Sequence, residues 1–229
     1  MTLSRNDETL SFNIGDTVIN STGCVKLLGL YIDNKLNFSE HVKHLVKKCG
    51  KQVNVLGRLC NVLTMECKLQ IVDALICSNL RYCNSIYHYC SKSDSMQLEK
   101  LFKRALRYVF NDFNSEYKDL RLKANRKSMY LSRLHDILFD VHKLRLVGLP
   151  PLSTDFLEHK VTNYNLRNVL VQPKFNTVMF GFRSFKYNGA MFYNKLPNAF
   201  MELNLQDFKS AIQSWEPACK CGTCLICIL

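Results

Sequence analysis

An α+β chain, mostly helical, is the fold class the sequence predicts, and three observations predict it. Residues 10–33 alternate apolar and polar side chains between turn residues. Residues 38–150 repeat apolar side chains at three- and four-residue spacing. After Pro151, aromatic and β-branched residues recur with neither period. The expected organisation is a β-hairpin segment over 1–37, a basic helical domain over 38–150, a mixed α/β subdomain over 151–216 and a Cys-rich tail over 217–229. Hydrophobic residues make up 47% and charged residues 22% of the 229 residues, ordinary globular usage that can build a core.

Each element has its own signal. Phe12, Ile14, Val18 and Ile19, then Val25, Leu27, Leu28, Tyr31 and Ile32, predict a small hairpin or three-stranded ribbon turning at Gly15-Asp16 and Ser21-Thr22-Gly23. Ser39 is placed to cap a helix whose apolar side runs Val42, Leu45, Val46, Cys49, Val53, Leu56 and Cys60. Thr64 is placed to cap the next, with Leu69, Val72, Leu75, Ile76 and Leu80. A short helix or turn is expected from Tyr82 to Tyr89. A long one follows Asp94, with Gln97 completing a capping-box-like pair and Leu98, Leu101, Phe102, Ala105, Leu106 and Val109 inward. Another starts near Ser128 and stops at Gly148 and Pro150-Pro151. Beyond it Tyr164, Phe175, Val178, Phe180, Phe182, Phe185 and Tyr187 suggest short strands, with short helices over 190–196 and 207–215.

Charge narrows the function. The formal net charge is +12, which favours a polyanionic partner. Residues 41–148 hold 20 Lys and Arg against 9 Asp and Glu, so nearly all the excess sits in the helical middle. Lys100, Lys103, Arg104 and Arg107 repeat at helical spacing beside an apolar face. They are the leading candidates for phosphate contact, with Lys47, Lys48, Lys51, Arg126 and Lys127 in support; such contacts position a duplex without reading its sequence. A single lysine of this kind is ordinarily just a solvated face, whereas a stripe in so unbalanced a segment is more than that. The helices lack the Trp and Phe stripe of a membrane-surface helix, so no membrane partner is expected. There is no run of about 18 apolar residues to span a bilayer, and the polar start Met1–Glu8 is not a signal peptide. The expectation is an intracellular chain, nuclear or cytoplasmic and not secreted.

The ordered motifs carry a resemblance. Lys26-Leu27-Leu28-Gly29-Leu30-Tyr31-Ile32-Asp33, followed by Leu36-Asn37-Phe38 and His41, resembles the segment just after the palm in LINE-type, jockey-like non-LTR retrotransposon reverse transcriptases. So do Arg81-Tyr82-Cys83-Asn84, Arg104 through Asp112, Tyr164-Asn165-Leu166-Arg167-Asn168, Gly189 through Pro197, and Phe208-Lys209 through Cys224. These stand in the family's order over roughly residues 25–224. The resemblance implies a primer-grip hairpin over 1–37, a helical thumb over 38–150, and a parent RNA-directed DNA polymerase with palm and endonuclease domains upstream. Its partner would be an RNA–DNA hybrid, read by shape and backbone. Two-metal phosphoryl transfer needs clustered carboxylates on magnesium. The family holds these on a paired-Asp turn, and no Asp-Asp pair occurs in this sequence. Magnesium would belong to that palm, no catalytic residue is assigned here, and no polymerase activity is expected of this chain by itself. Asp33, at the join of hairpin and thumb, is expected to be structural. The alternatives are a host-domesticated nucleic-acid-binding module with a zinc-binding tail, and a non-enzymatic interaction remnant.

Metal and catalytic constellations are few. Cys219, Cys221, Cys224 and Cys227 supply four thiols within eleven residues, the ligand number of tetrahedral zinc. The resembling family pattern has the first three, and the alternative is a tail of reduced thiols. His41 and His44 lie three apart without an evident third ligand, and His135 and His142 are expected to pack beside a core. No glycine-rich phosphate loop and no serine or cysteine triad signature is found. The seven other cysteines, among apolar neighbours and without a secretion signal, read as reduced core residues.

Overall fold

The computed structural model describes residues 10–147, 170–177 and 181–217, and it is an α+β fold, mostly helical. The chain divides into two compact units, residues 1–129 and 130–228. That division falls one helix ahead of the Gly148–Ser153 stretch at which the sequence suggests a boundary.

The first unit opens with two hairpins rather than one hairpin or a three-stranded ribbon. Strands β1 (Ser11–Ile14) and β2 (Thr17–Asn20) pair antiparallel, and β3 (Cys24–Leu27) pairs separately with β4 (Leu30–Asp33). Leu28 and Gly29 both take positive φ, 47° and 86°; this is the two-residue loop geometry that matches strand twist. That second turn breaks what the sequence presents as one apolar run. Phe12 lies opposite Ile19 and Ile14 opposite Thr17, so Phe12, Ile14 and Ile19 share one face of the first ribbon, and all three are exposed.

Helix α1 (Ser39–Leu59) follows, and its start corrects the Ser39 cap. Phe38 holds the N-cap position in left-handed conformation, without a side-chain cap of its own. Asn37 Oδ1 accepts from the Ser39 amide at 2.9 Å, and Asp33 ties down the loop ahead of the helix: its Oδ1 accepts from the amides of Lys35 and Asn37, and its Oδ2 from that of Phe38 at 2.6 Å. Asp33 is buried, and its role is structural. Thr64 does cap α2 (Met65–Ile71), accepting from Cys67 N. The helix then runs on through a π-helical stretch, Val72–Cys77, into α3 (Ser78–Arg81) and, after a left-handed Cys83, α4 (Asn84–Tyr87).

Helix α5 (Lys92–Phe110) begins earlier than its sequence signal. Ser91 is the cap and accepts from Asp94 N, so Asp94, not Gln97, is the acidic partner three residues on. The helix ends at Asn111, φ 50°, followed by α6 (Tyr117–Lys123), for which the sequence pattern is too short to be seen. The core of this unit gathers Val42, Cys49, Val53, Leu56, Ile76, Leu98, Phe102 and Leu106, the three-and-four series of α1, α5 and the helix between them, with Leu120 added from α6.

The second unit is built from α7 (Met129–Val147), α8 (Phe185–Tyr193), α9 (Asn198–Met201) and α10 (Leu205–Ser214). Two expectations are corrected. Phe185 and Tyr187, read as strand residues, open α8, where Ser184 caps by accepting from Tyr187 N. The tail helix starts at Leu205, because Asn204 accepts from the amides of Gln206 and Asp207. At α8 a capping side chain outweighs aromatic β-propensity, which mostly measures packing context. Gly189 lies where a Cβ would come 2.9 Å from Val141 Cγ2, so α8 and α7 touch backbone to side chain. Tyr164–Asn168 and the Cys219–Cys227 tail lie outside the described residues.

Candidate nucleic-acid interface

The basic middle becomes a surface because α1 and α5 lie side by side in the same direction. At their starts Ser39 Oγ donates to Asp94 Oδ2 at 2.6 Å. Midway, Arg104 reaches the Gly50 carbonyl at 3.5 Å. At their ends, Lys68 Nζ donates to Cys60 O at 3.1 Å and Tyr108 O at 3.3 Å. Three contacts in the same order along both chains fix a parallel pair. Close approach is allowed at Gly50 and Gly57: a Cβ on Gly57 would meet the Tyr108 ring at 2.8 Å.

Between the two helices runs an open groove of about 310 Å³, lined by Val46, Gln97, Lys100, Leu101 and Arg104. Its floor is apolar and its α5 rim is cationic. Lys100 and Arg104 are exposed, one helical turn apart. On α1 the exposed Lys47 and Lys51 follow directly on Val46 and Gly50. Sequence reasoning finds the cations but not the groove, nor Gln97, Val46 and Gly50.

The remaining candidates divide. Lys103 and Arg107 are half-buried on the flank of α5. Arg107 Nε is shut away from solvent and meets no acceptor among the described residues. Lys48 turns to the other side of α1 and donates to Asn79 Oδ1 at 2.6 Å. Arg126 is engaged by Asp73 in a two-pronged pair, Nη2 to Oδ2 at 2.5 Å and Nε to Oδ1 at 3.3 Å; that bond to Asp73 holds the guanidinium more firmly protonated than usual. It ties α6's end to the π-helical stretch and stands apart from the groove. Lys127 is half-buried. Lys43, beside the groove, is paired with Glu40 at 2.6 Å in solvent.

The histidines play internal parts. His41 is buried, accepts from Tyr31 N through Nδ1 at 3.4 Å and packs on Tyr87. Burial, helped by neighbouring His44, pushes its pKa down to about 4. In the second unit His142 is stacked on Phe208, with ring centroids 3.8 Å apart and planes 9° apart. Its Nε2 faces Leu203 O at 2.9 Å and therefore carries the proton, leaving Nδ1 to accept from the Tyr193 hydroxyl at 2.7 Å. Burial lowers the pKa of His142. His135 donates in the same way to Trp215 O at 2.9 Å.

No family model, curated protein or solved structure matches the chain. Among the described residues no group of three or more His, Cys, Asp or Glu is placed to hold a metal ion, and no helix is long and apolar enough to cross a membrane.

Proposed function

We propose that this chain is the thumb-side part of a LINE-type reverse transcriptase and that it cradles a template–primer duplex by its phosphates. The observation that carries the reading is the α1–α5 groove, whose rim holds the exposed Lys100 and Arg104, with Arg104 reaching the Gly50 carbonyl. A cationic rim on an apolar floor attracts a polyanion and orients it along the helix pair. The ordered motif resemblance over residues 25–224 supports the same assignment, and names an RNA–DNA hybrid as the duplex. The exposed apolar face of Phe12, Ile14 and Ile19 fits a chain that packs against a further domain, as the palm would supply. The Cys219–Cys227 tail is proposed as a zinc site on its four thiols alone.

The test is fluorescence anisotropy of the whole chain with a labelled RNA–DNA hybrid across a salt series. Binding with a log–log salt slope of several, reduced by about one for each contact removed from Lys100, Lys103, Arg104 and Arg107, supports the reading. Absence of binding at low salt refutes it and leaves an interaction remnant.

A further inference from the structure

Beyond the groove, where α1 and α5 end together, the surface changes from cationic to aromatic. Tyr108 lies one turn past Arg104 on α5, its ring over Gly57. Phe113 stands edge-on to it, ring centroids 5.6 Å apart and planes 77° apart, and is 52% exposed. The turn that presents Phe113 is built stiffly. Asn111 takes the left-handed conformation that closes α5. Asp112 accepts from Ser115 N at 3.0 Å, from Ser115 Oγ at 2.6 Å and from Lys123 Nζ at 2.9 Å. Lys123 and then Ser115 hold that carboxyl well below the usual carboxylate range. An aromatic face is thus held out into solvent on a fixed loop. Scattered exposed apolar residues are ordinary; one braced by a second ring at the mouth of a cationic groove is placed for a ligand.

Chemistry chooses the part of the ligand. At this end Lys68 is already bonded to Cys60 O and Tyr108 O, and Lys123 to Asp112, whereas Lys100 and Arg104, two turns and one turn back from Tyr108, are exposed cations. A neutral π-faced group suits the aromatic end. Asn61 and Asn111, whose side chains meet at 3.5 Å beside the same turn, add amides that can bond a base edge.

Resting on the nucleic-acid reading above, we infer that Phe113, braced by Tyr108, stacks an unpaired nucleobase of a strand whose phosphates lie on Lys100 and Arg104. The ligand is single-stranded nucleic acid continuing from the duplex, bound without sequence preference because every base has a π-face.

The experiment compares the whole chain on a blunt RNA–DNA hybrid with the same hybrid carrying a short single-stranded extension at either end. The first unpaired base is 2-aminopurine, whose emission falls on stacking. The extension is expected to tighten binding by roughly 5- to 100-fold and to quench the probe, the range for one base on an aromatic ring. Phe113→Ala loses both effects while blunt-hybrid affinity and salt slope stay unchanged. Phe113→Trp keeps both. Phe113→Leu, apolar without a π-face, loses the quench. If blunt hybrid binds with its salt slope but the extension adds nothing, or Phe113→Ala changes nothing, the stacking site is refuted and the groove stands. If no oligonucleotide binds, both fall together.

Discussion

Lys68 and Asp94 hold opposite ends of one helix pair. Asp94 accepts from Ser39 Oγ and Ser91 Oγ where α1 and α5 begin, and the Lys68 ammonium bridges Cys60 O and Tyr108 O where they end. Parallel neighbouring helices put like dipole ends together, and a carboxylate at the amide end and an ammonium at the carbonyl end offset that repulsion. Lys68 is only 4% exposed, so it does this out of water. Lys68→Met leaves both carbonyls without their donor. The expected loss is about 2–3 kcal/mol, the cost of unsatisfied buried acceptors, read as a lower urea midpoint at unchanged m-value. An unmoved midpoint would show that the ammonium does not bridge the helices.

Asp33→Ala removes the acceptor of three amides at the entry to α1. Losing these charge-assisted bonds costs about 1–3 kcal/mol. The prediction is a fall in thermal stability with hybrid affinity unaffected at temperatures where the variant is folded. A selective loss of affinity would mean that Asp33 faces the ligand.

Gly57 and Tyr108 form a pair for a double-mutant cycle. Alanine in a helix interior gains about 1 kcal/mol over glycine, but here its Cβ meets three atoms of the Tyr108 ring at 2.8–3.1 Å. Gly57→Ala is therefore expected to destabilise the wild-type chain and to stabilise a Tyr108→Ala background. Equal effects in both backgrounds would mean that the ring is free to move aside.

Acid should loosen the first unit through His41. Its folded pKa, about 4, lies below the ordinary histidine value because burial, then His44, penalises the imidazolium. The unfolded chain therefore binds the proton first, and stability rises with pH wherever it does so. The contribution is complete above about pH 6.5, declines as pH falls, and is gone by about pH 4, at most about 3 kcal/mol in all. His41→Gln should flatten this part of the stability–pH curve. A curve of unchanged shape would place the titration elsewhere; His142, also depressed by burial, works in the same direction.

The sequence by itself determined the helical class, the core series of α1, α5 and α7, and the concentration of positive charge in the middle. Those are local or additive properties: apolar spacing of 3.6 fixes a face, and charge sums regardless of fold. Asp33 is expected to be structural from the family resemblance, which puts it at the join of hairpin and thumb. The sequence misplaced the starts of α1, α5, α8 and α10, because several Ser, Asp and Asn residues compete for each cap and only the folded backbone selects one. Which cations line the groove was decided by tertiary structure alone. Arg104 reaches Gly50 across a groove because Gly50 and Gly57 let two parallel helices close on each other, whereas Arg126, equally basic in sequence, is drawn to Asp73 across 53 residues. A pairwise distance between remote residues is written in no local pattern, and that distance separates a cation open to a phosphate from one already engaged.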